Sequence, residues 1–229
     1  MNQISCHIIE VNADHPHLYK VYLKPEQQLK FKAGQYLCII MGEEDKRPFS
    51  IASAPHQDII ELHIGAGEPD SYPMQVIDKL RSSDEIMIEA PHGRAYLRET
   101  SERPRVIIAG GTGFSYAKSI IESLIHTQQD APTHFFWGCR KPEYMYDFAL
   151  AQQWNKLDWL QFTPVLEHNA SELQASEGML LDQVCQQISD FSDYDIYIAG
   201  RFEMAKAAKD KFLPLNLNTN QLFGDAFSY

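Results

Sequence analysis

The sequence predicts two domains: an N-terminal antiparallel β-barrel, then an α/β domain built on a five-stranded parallel sheet. Three observations carry this. Up to about residue 98, short segments of alternating apolar character recur between turn residues, the pattern of a small barrel. Arg98-Glu99-Thr100-Ser101-Glu102-Arg103-Pro104 is charged and poor in apolar residues, as a linker is. From Arg105 onward, apolar runs alternate with helical periodicity, which reads as a parallel sheet with helices on both faces. The expected boundaries are 1–98 for the barrel, 99–104 for the linker and 105–229 for the α/β domain.

Composition narrows the function classes. The chain has 229 residues, 44% hydrophobic and 22% charged, as a folded protein does. No apolar run reaches the roughly 18 residues of a membrane span. The opening Met-Asn-Gln-Ile-Ser-Cys-His lacks the basic and apolar regions of a signal peptide. The four cysteines, Cys6, Cys38, Cys139 and Cys185, are scattered without a C-x-x-C pair, which fits a reducing cytoplasm. Nine histidines include His15-Pro16-His17 but no H-E-x-x-H, so no metal is expected. A net charge of −11 disfavours nucleic acid as a partner, since such binding needs a basic surface.

Residues 4–11 and 18–23 read as strands, with turn chemistry at Asp14-His15-Pro16. Leu37 to Met41 is an apolar run long enough for a buried strand. Gly42 to Lys46 is a charged turn, and Arg47 to Pro55 a rigid extended segment. Ile59 to Ile64 and Glu85 to Ala90 are further strands. Residues 71–80 read as a helix capped by Ser71, with Pro73 in its first turn and Val76, Ile77 and Leu80 on one face. In the second domain, strands are expected at 105–109, 133–137, 160–165, 194–198 and 221–224. Helices are expected at 114–126, 143–153, 179–188 and 202–212.

Two stretches carry chemistry. Arg105 to Ser115 reads Arg-Val-Ile-Ile-Ala-Gly-Gly-Thr-Gly-Phe-Ser: a strand, a glycine loop, then a helix with Ala117, Ile120, Ile121, Leu124 and Ile125 on one face. Such a loop offers backbone N–H groups and a helix N-terminus to a phosphate. Gly111 and Gly113 match the first two positions of G-x-G-x-x-G, but Tyr116 stands at the third, so a tight turn without a ligand is the alternative reading of these residues alone. The second stretch is Arg47-Pro48-Phe49-Ser50. Here the arginine suits a phosphate or ring carbonyl, the serine a ring nitrogen and the phenylalanine an aromatic ledge; an edge strand bordered by Pro48 is the plainer reading.

These two motifs, with Ala-Gly-Arg-Phe-Glu-Met at 199–204 and Gly-Asp-Ala-Phe at 224–227, resemble the ferredoxin–NADP reductase superfamily. Within it the chain resembles the bacterial NAD(P)H:flavin oxidoreductases, the general and luciferase-associated flavin reductases, over nearly its whole length. The resemblance implies a ferredoxin–NADP reductase-like fold, with a flavin barrel followed by a nicotinamide-nucleotide domain. It places Tyr36, Arg47, Pro48, Phe49 and Ser50 at the flavin, with His63, Ile64, Gly65 and Ala66 as weaker candidates and Ser50 as the catalytic hydroxyl. It places Gly111, Thr112, Gly113, Phe114, Ser115, Gly200 and Arg201 at NAD(P)H. Arg140, after the second strand of that domain, suits a 2′-phosphate, or is a solvated basic turn.

Two departures matter. A Cys-Gly pair common in the superfamily is Ala199-Gly200 here, so no cysteine assists at that position. The region where FAD-holding relatives grip the pyrophosphate, Gly67-Glu68-Pro69-Asp70-Ser71-Tyr72, is acidic. The expected activity is hydride transfer from NADH or NADPH to free FMN or riboflavin, used as a diffusing substrate. The reduced flavin would supply a luciferase, another monooxygenase or ferric iron reduction. The rival readings are a reductase with bound FAD that passes electrons to a protein partner, and a non-catalytic redox-sensing subunit.

Overall fold

The computed structural model describes residues 2–15, 17–66 and 71–227. It divides into two compact units, Met1–Leu97 with Lys118–Thr127, and Arg98–Ala117 with Gln128–Tyr229.

The first unit holds β1 (Asn2–His15), β2 (Leu18–Pro25), β3 (Tyr36–Ile40), β4 (Lys46–Ser50), β5 (Ile60–Gly65), α1 (Tyr72–Arg81) and β6 (Glu85–His92). These strands form one antiparallel sheet in the order β4-β3-β6-β1-β2-β5. An Ile51–Leu62 bridge and the Ala52 N–H, which donates to the Glu61 carbonyl at 2.7 Å, join the two edges into a barrel. Alternate side chains fill the interior, among them Val21, Leu23, Leu37, Ile39, Leu62, Ile64 and Ile88.

β1 is longer than the expected 4–11. Asn2–His7 pair with β6 and Cys6–His15 with β2, so pairing with β2 alone carries the strand through residues 12–15 without an apolar pattern. Helix α1 starts as expected: the Ser71 Oγ accepts from the Met74 N–H at 3.4 Å. Its buried Val76, Ile77 and Leu80 close the barrel core, each contributing about 1.5–3 kcal/mol by burial.

The second unit holds β7 (Arg105–Gly110), β8 (Thr133–Cys139), α3 (Phe148–Trp154), β9 (Leu160–Leu166), β10 (Ser176–Glu177), α4 (Leu180–Gln187), β11 (Asp195–Ala199), α5 (Phe202–Phe212) and β12 (Leu222–Phe223). Helix α2 (Phe114–His126) begins in this unit, and from Lys118 it belongs with the first. The sheet is parallel, in the order β10-β9-β8-β7-β11-β12. It has six strands rather than the expected five. The sixth, β10, is two polar residues paired with Val165 and Leu166, too short to leave a periodic signal.

The helix expected at 143–153 is a second correction. Pro142–Tyr144 makes one 3₁₀ turn, and α3 begins only at Phe148. Between them Met145, 3% exposed, turns into the core, so the apolar residues there are buried without a helix. Both faces of the sheet are covered, hence its nearly unbroken apolar strands. Val106, Ile108, Phe136, Ile196 and Ile198 pack with residues of α4 and α5. Phe135 lies beside Phe114, Trp154 and Phe162.

Candidate functional site

In the second unit, the loops after β7 and β11 lie side by side where the strand order changes direction. That is where open parallel sheets bind ligands. The glycines there do different jobs. Gly111 has φ +54°, and a Cβ there would meet nothing within 4 Å, so it presents bare backbone to open space. The Trp137 Nε1–H holds it by donating to the Gly111 carbonyl at 2.9 Å. Gly113 is not in the positive-φ region. A Cβ there would lie 2.4 Å from the Ala199 carbonyl oxygen, so this glycine lets the turn close against the end of β11. A Cβ on Gly200 would likewise lie 2.4 Å from the Met204 Cε.

The turn Gly111–Gly113 is 3₁₀ and leads directly into α2. Thr112 is exposed. Phe114 is fully buried, stacked on Trp137 at 4.2 Å, and the buried Ser115 hydroxyl donates to the Thr112 carbonyl at 2.9 Å. Phe114 and Ser115 therefore offer a ligand main chain rather than side chains. Arg140 is exposed just past β8, next to Lys141, whose ammonium lies 3.6 Å from Glu143. Gly200 and Arg201 are exposed between β11 and α5.

In the first unit, Tyr36 and Ser50 are directly opposite each other in the β3–β4 ladder, so their side chains share a face. Pro48, paired with Cys38, shares that face. The Tyr36 ring stacks on His92 at 5.3 Å and 14°, and the His92 Nε2 lies 3.1 Å from Glu89. Phe49, paired with Leu37, packs against the barrel core on the other face. Pro48 sits in an edge strand of the sheet, where a missing N–H is tolerated.

Arg47 is only 6% exposed. Its Nε and Nη2 donate to both carboxylate oxygens of Asp45 at 2.9 and 2.7 Å. Nη2 also donates to Gln75 Oε1 at 2.8 Å, and Nη1 to the Tyr72 carbonyl at 2.6 Å. The guanidinium lies 4.1 Å from the centre of the Tyr72 ring. Hydrogen bonding to Arg47 holds the Asp45 carboxyl below the usual range.

The residues at the end of β5 divide by face. Ile64 is in the barrel core, Gly65 is exposed and Ala66 is buried. The buried His63 joins a charged cluster instead. Its Nε2 is 2.8 Å from Glu61, whose other oxygen accepts from the Lys118 ammonium at 2.8 Å, and Lys118 also reaches Glu122 at 3.0 Å. Burial acts to raise the Glu61 carboxyl, but the hydrogen bond from His63 and the charge of Lys118 override it and bring it down to about 2.

Sequence reasoning missed this cluster and the partners of Arg47. The signals were present: Glu61 and His63 are two apart on β5 and so share a face, and Asp45 stands two residues before Arg47 at the start of β4. Burial raises all four cysteine thiols, Cys6 and Cys139 to about 12, so none is poised as a nucleophile. His7, Glu26 and Glu85 place ligand atoms within 4.8 Å of one another, but all are exposed, and a 3.3 Å His7–Glu85 pair accounts for the grouping. The acidic pair Glu68 and Asp70 lies outside the described residues.

Residues 107–210 match the oxidoreductase NAD-binding domain. The chain is 42% identical to an NAD(P)H-flavin reductase of Aliivibrio fischeri and 40% identical to one of Vibrio harveyi, covering 99% of both chains in each case. The chain belongs to the NAD(P)H-flavin reductases. As a member of this family it is an oxidoreductase with a nicotinamide-nucleotide domain. Its fold is also that of a ferredoxin NADP+ reductase from Neisseria gonorrhoeae, solved with bound FAD and NADP. The TM-score is 0.79 at 20% identity, over 94% of this chain and 92% of that one. Among the described residues no helix is long and apolar enough to cross a membrane.

Proposed function

We propose that this flavin reductase takes hydride from NADH or NADPH and delivers it to free riboflavin or FMN, which binds, reacts and leaves as a substrate. The observation that carries the reading is end-to-end similarity to NAD(P)H-flavin reductases, with all four motifs in order. Nicotinamide and flavin supply the redox chemistry themselves: NAD(P)H loses a hydride to become NAD(P)+, and the flavin gains it.

The protein binds and aligns. Gly111 and Thr112 receive the nucleotide phosphates on bare backbone at the start of α2, supported by the open space at Gly111. Arg140 takes a 2′-phosphate where one is present, and Gly200 with Arg201 borders the nicotinamide end. Tyr36, Pro48 and Ser50 present one face to the flavin ring, and the Ser50 hydroxyl donates to the ring nitrogen that accepts hydride. Phe49 supports that face from the core side, and His63 to Ala66 end the neighbouring strand. The barrel of residues 1–98 is the flavin domain and 105–229 the nucleotide domain, joined by 99–104. The reduced flavin then serves a luciferase, a monooxygenase or ferric iron, in the cytoplasm.

The test is a steady-state assay of NADH and NADPH against riboflavin, FMN and FAD, using protein dialysed free of flavin. Saturable turnover with riboflavin and FMN supports the reading. No turnover with any free flavin overturns it.

A further inference from the structure

The flavin motif contains a single cation, Arg47, and the barrel has already neutralised it. Asp45 grips it through both carboxylate oxygens, and Gln75 and the Tyr72 carbonyl take further N–H groups. Only 8% of the Arg47 side chain is exposed, against 44% for Asp45, so the outward-facing part of this pair is its acid. The next cation along this wall, Lys79, donates to the carbonyls of Ile40 and Met41 at 3.1 Å each. A bidentate arginine–carboxylate pair leaves no net charge, and its geometry resists exchange for an outside anion.

We propose that Asp45 is a specificity-determining residue. By occupying Arg47 it withholds the charge that would favour a flavin phosphate, so the enzyme selects on the isoalloxazine ring and treats riboflavin and FMN alike. Gln75 supports the same clamp from helix α1 without adding charge. This rests on the flavin-reductase reading above and adds to it the residue that sets the choice between phosphorylated and unphosphorylated substrate.

The test uses two charge changes of opposite sign, with riboflavin as the internal reference. Asp45→Asn keeps an acceptor for Arg47 but removes the negative charge. It should raise the ratio of kcat/KM for FMN over riboflavin by about three- to tenfold, the scale of a partly solvated charge-assisted hydrogen bond. Gln75→Glu places a second carboxylate on the guanidinium and should lower the same ratio. Both shifts should shrink between about 0.01 and 0.5 M salt as screening strengthens. A merely structural clamp would change both flavins equally and leave the ratio and its salt dependence fixed; that result overturns the proposal. Wild-type protein that reduced neither flavin would instead overturn the flavin-reductase reading itself.

Discussion

Gly111 and Gly113 are two residues apart and look interchangeable in sequence, yet they should fail differently when substituted. Gly113→Ala drives a Cβ to 2.4 Å from the Ala199 carbonyl oxygen, a main-chain atom that cannot swing away. Overpacking of this kind costs about 1–3 kcal/mol, to be read from urea unfolding. Gly111→Ala adds its methyl to open space at φ +54°, a strain of about 1–2 kcal/mol. If the nucleotide phosphates sit there as proposed, the same methyl fills their approach, and the KM for NAD(P)H should rise by more than the stability loss explains. An unchanged KM would make Gly111 only a turn residue. At Ser50, replacement by Ala should lower kcat far more than flavin affinity, by about 10- to 1,000-fold, if its hydroxyl acts mainly in the transition state. Pre-steady-state hydride transfer measures this, and an unchanged rate constant would remove Ser50 from the chemistry.

At the scale of elements, helix α2 is held from Lys118 onward by barrel residues. The Ser119 hydroxyl donates to the Ser53 carbonyl at 2.8 Å, and Lys118 sits between Glu61 and Glu122. Because the folded state holds Glu61 near 2 against an ordinary 4.5, its contribution is fully present above about pH 4.5 and is lost as pH falls toward 2. A neutral amide at 61 leaves the Lys118 ammonium with Glu122 alone, at a cost of about 1–3 kcal/mol. Glu61→Gln should therefore lose stability at pH 7 and show a flatter stability profile between pH 5 and 3 than the wild type; parallel profiles would mean that Glu61 titrates normally. Elements with strong periodicity were legible in the sequence: the helices at 114–126 and 202–212 stand at the expected positions, and Ala117, Ile120, Ile121 and Leu124 form the buried face that their spacing predicts. The two-residue β10 and the broken helix around Met145 were not, because main-chain pairing and burial of single residues create them without a repeating pattern.

For the whole molecule, the sequence made the order of motifs readable because each needs a fixed local geometry: three glycines after a strand, or a proline in an edge strand. What it could not supply was the pairing of side chains across faces. Arg47 reads as an available cation until Asp45, Tyr72 and Gln75 are seen around it, and Phe49 reads as a ligand ledge until it packs inward against the core. On the proposed reading, the pairing of Arg47 with Asp45 leaves the flavin motif without a cation for the pyrophosphate of a permanently held FAD. The most direct test of the central claim is to purify the protein, dialyse it, and measure bound flavin by absorbance together with NADH oxidation on added riboflavin. With flavin as a substrate, the dialysed protein is nearly colourless and regains full, saturable activity with free riboflavin or FMN. One FAD per chain that resists dialysis, with no stimulation by added flavin, would contradict it.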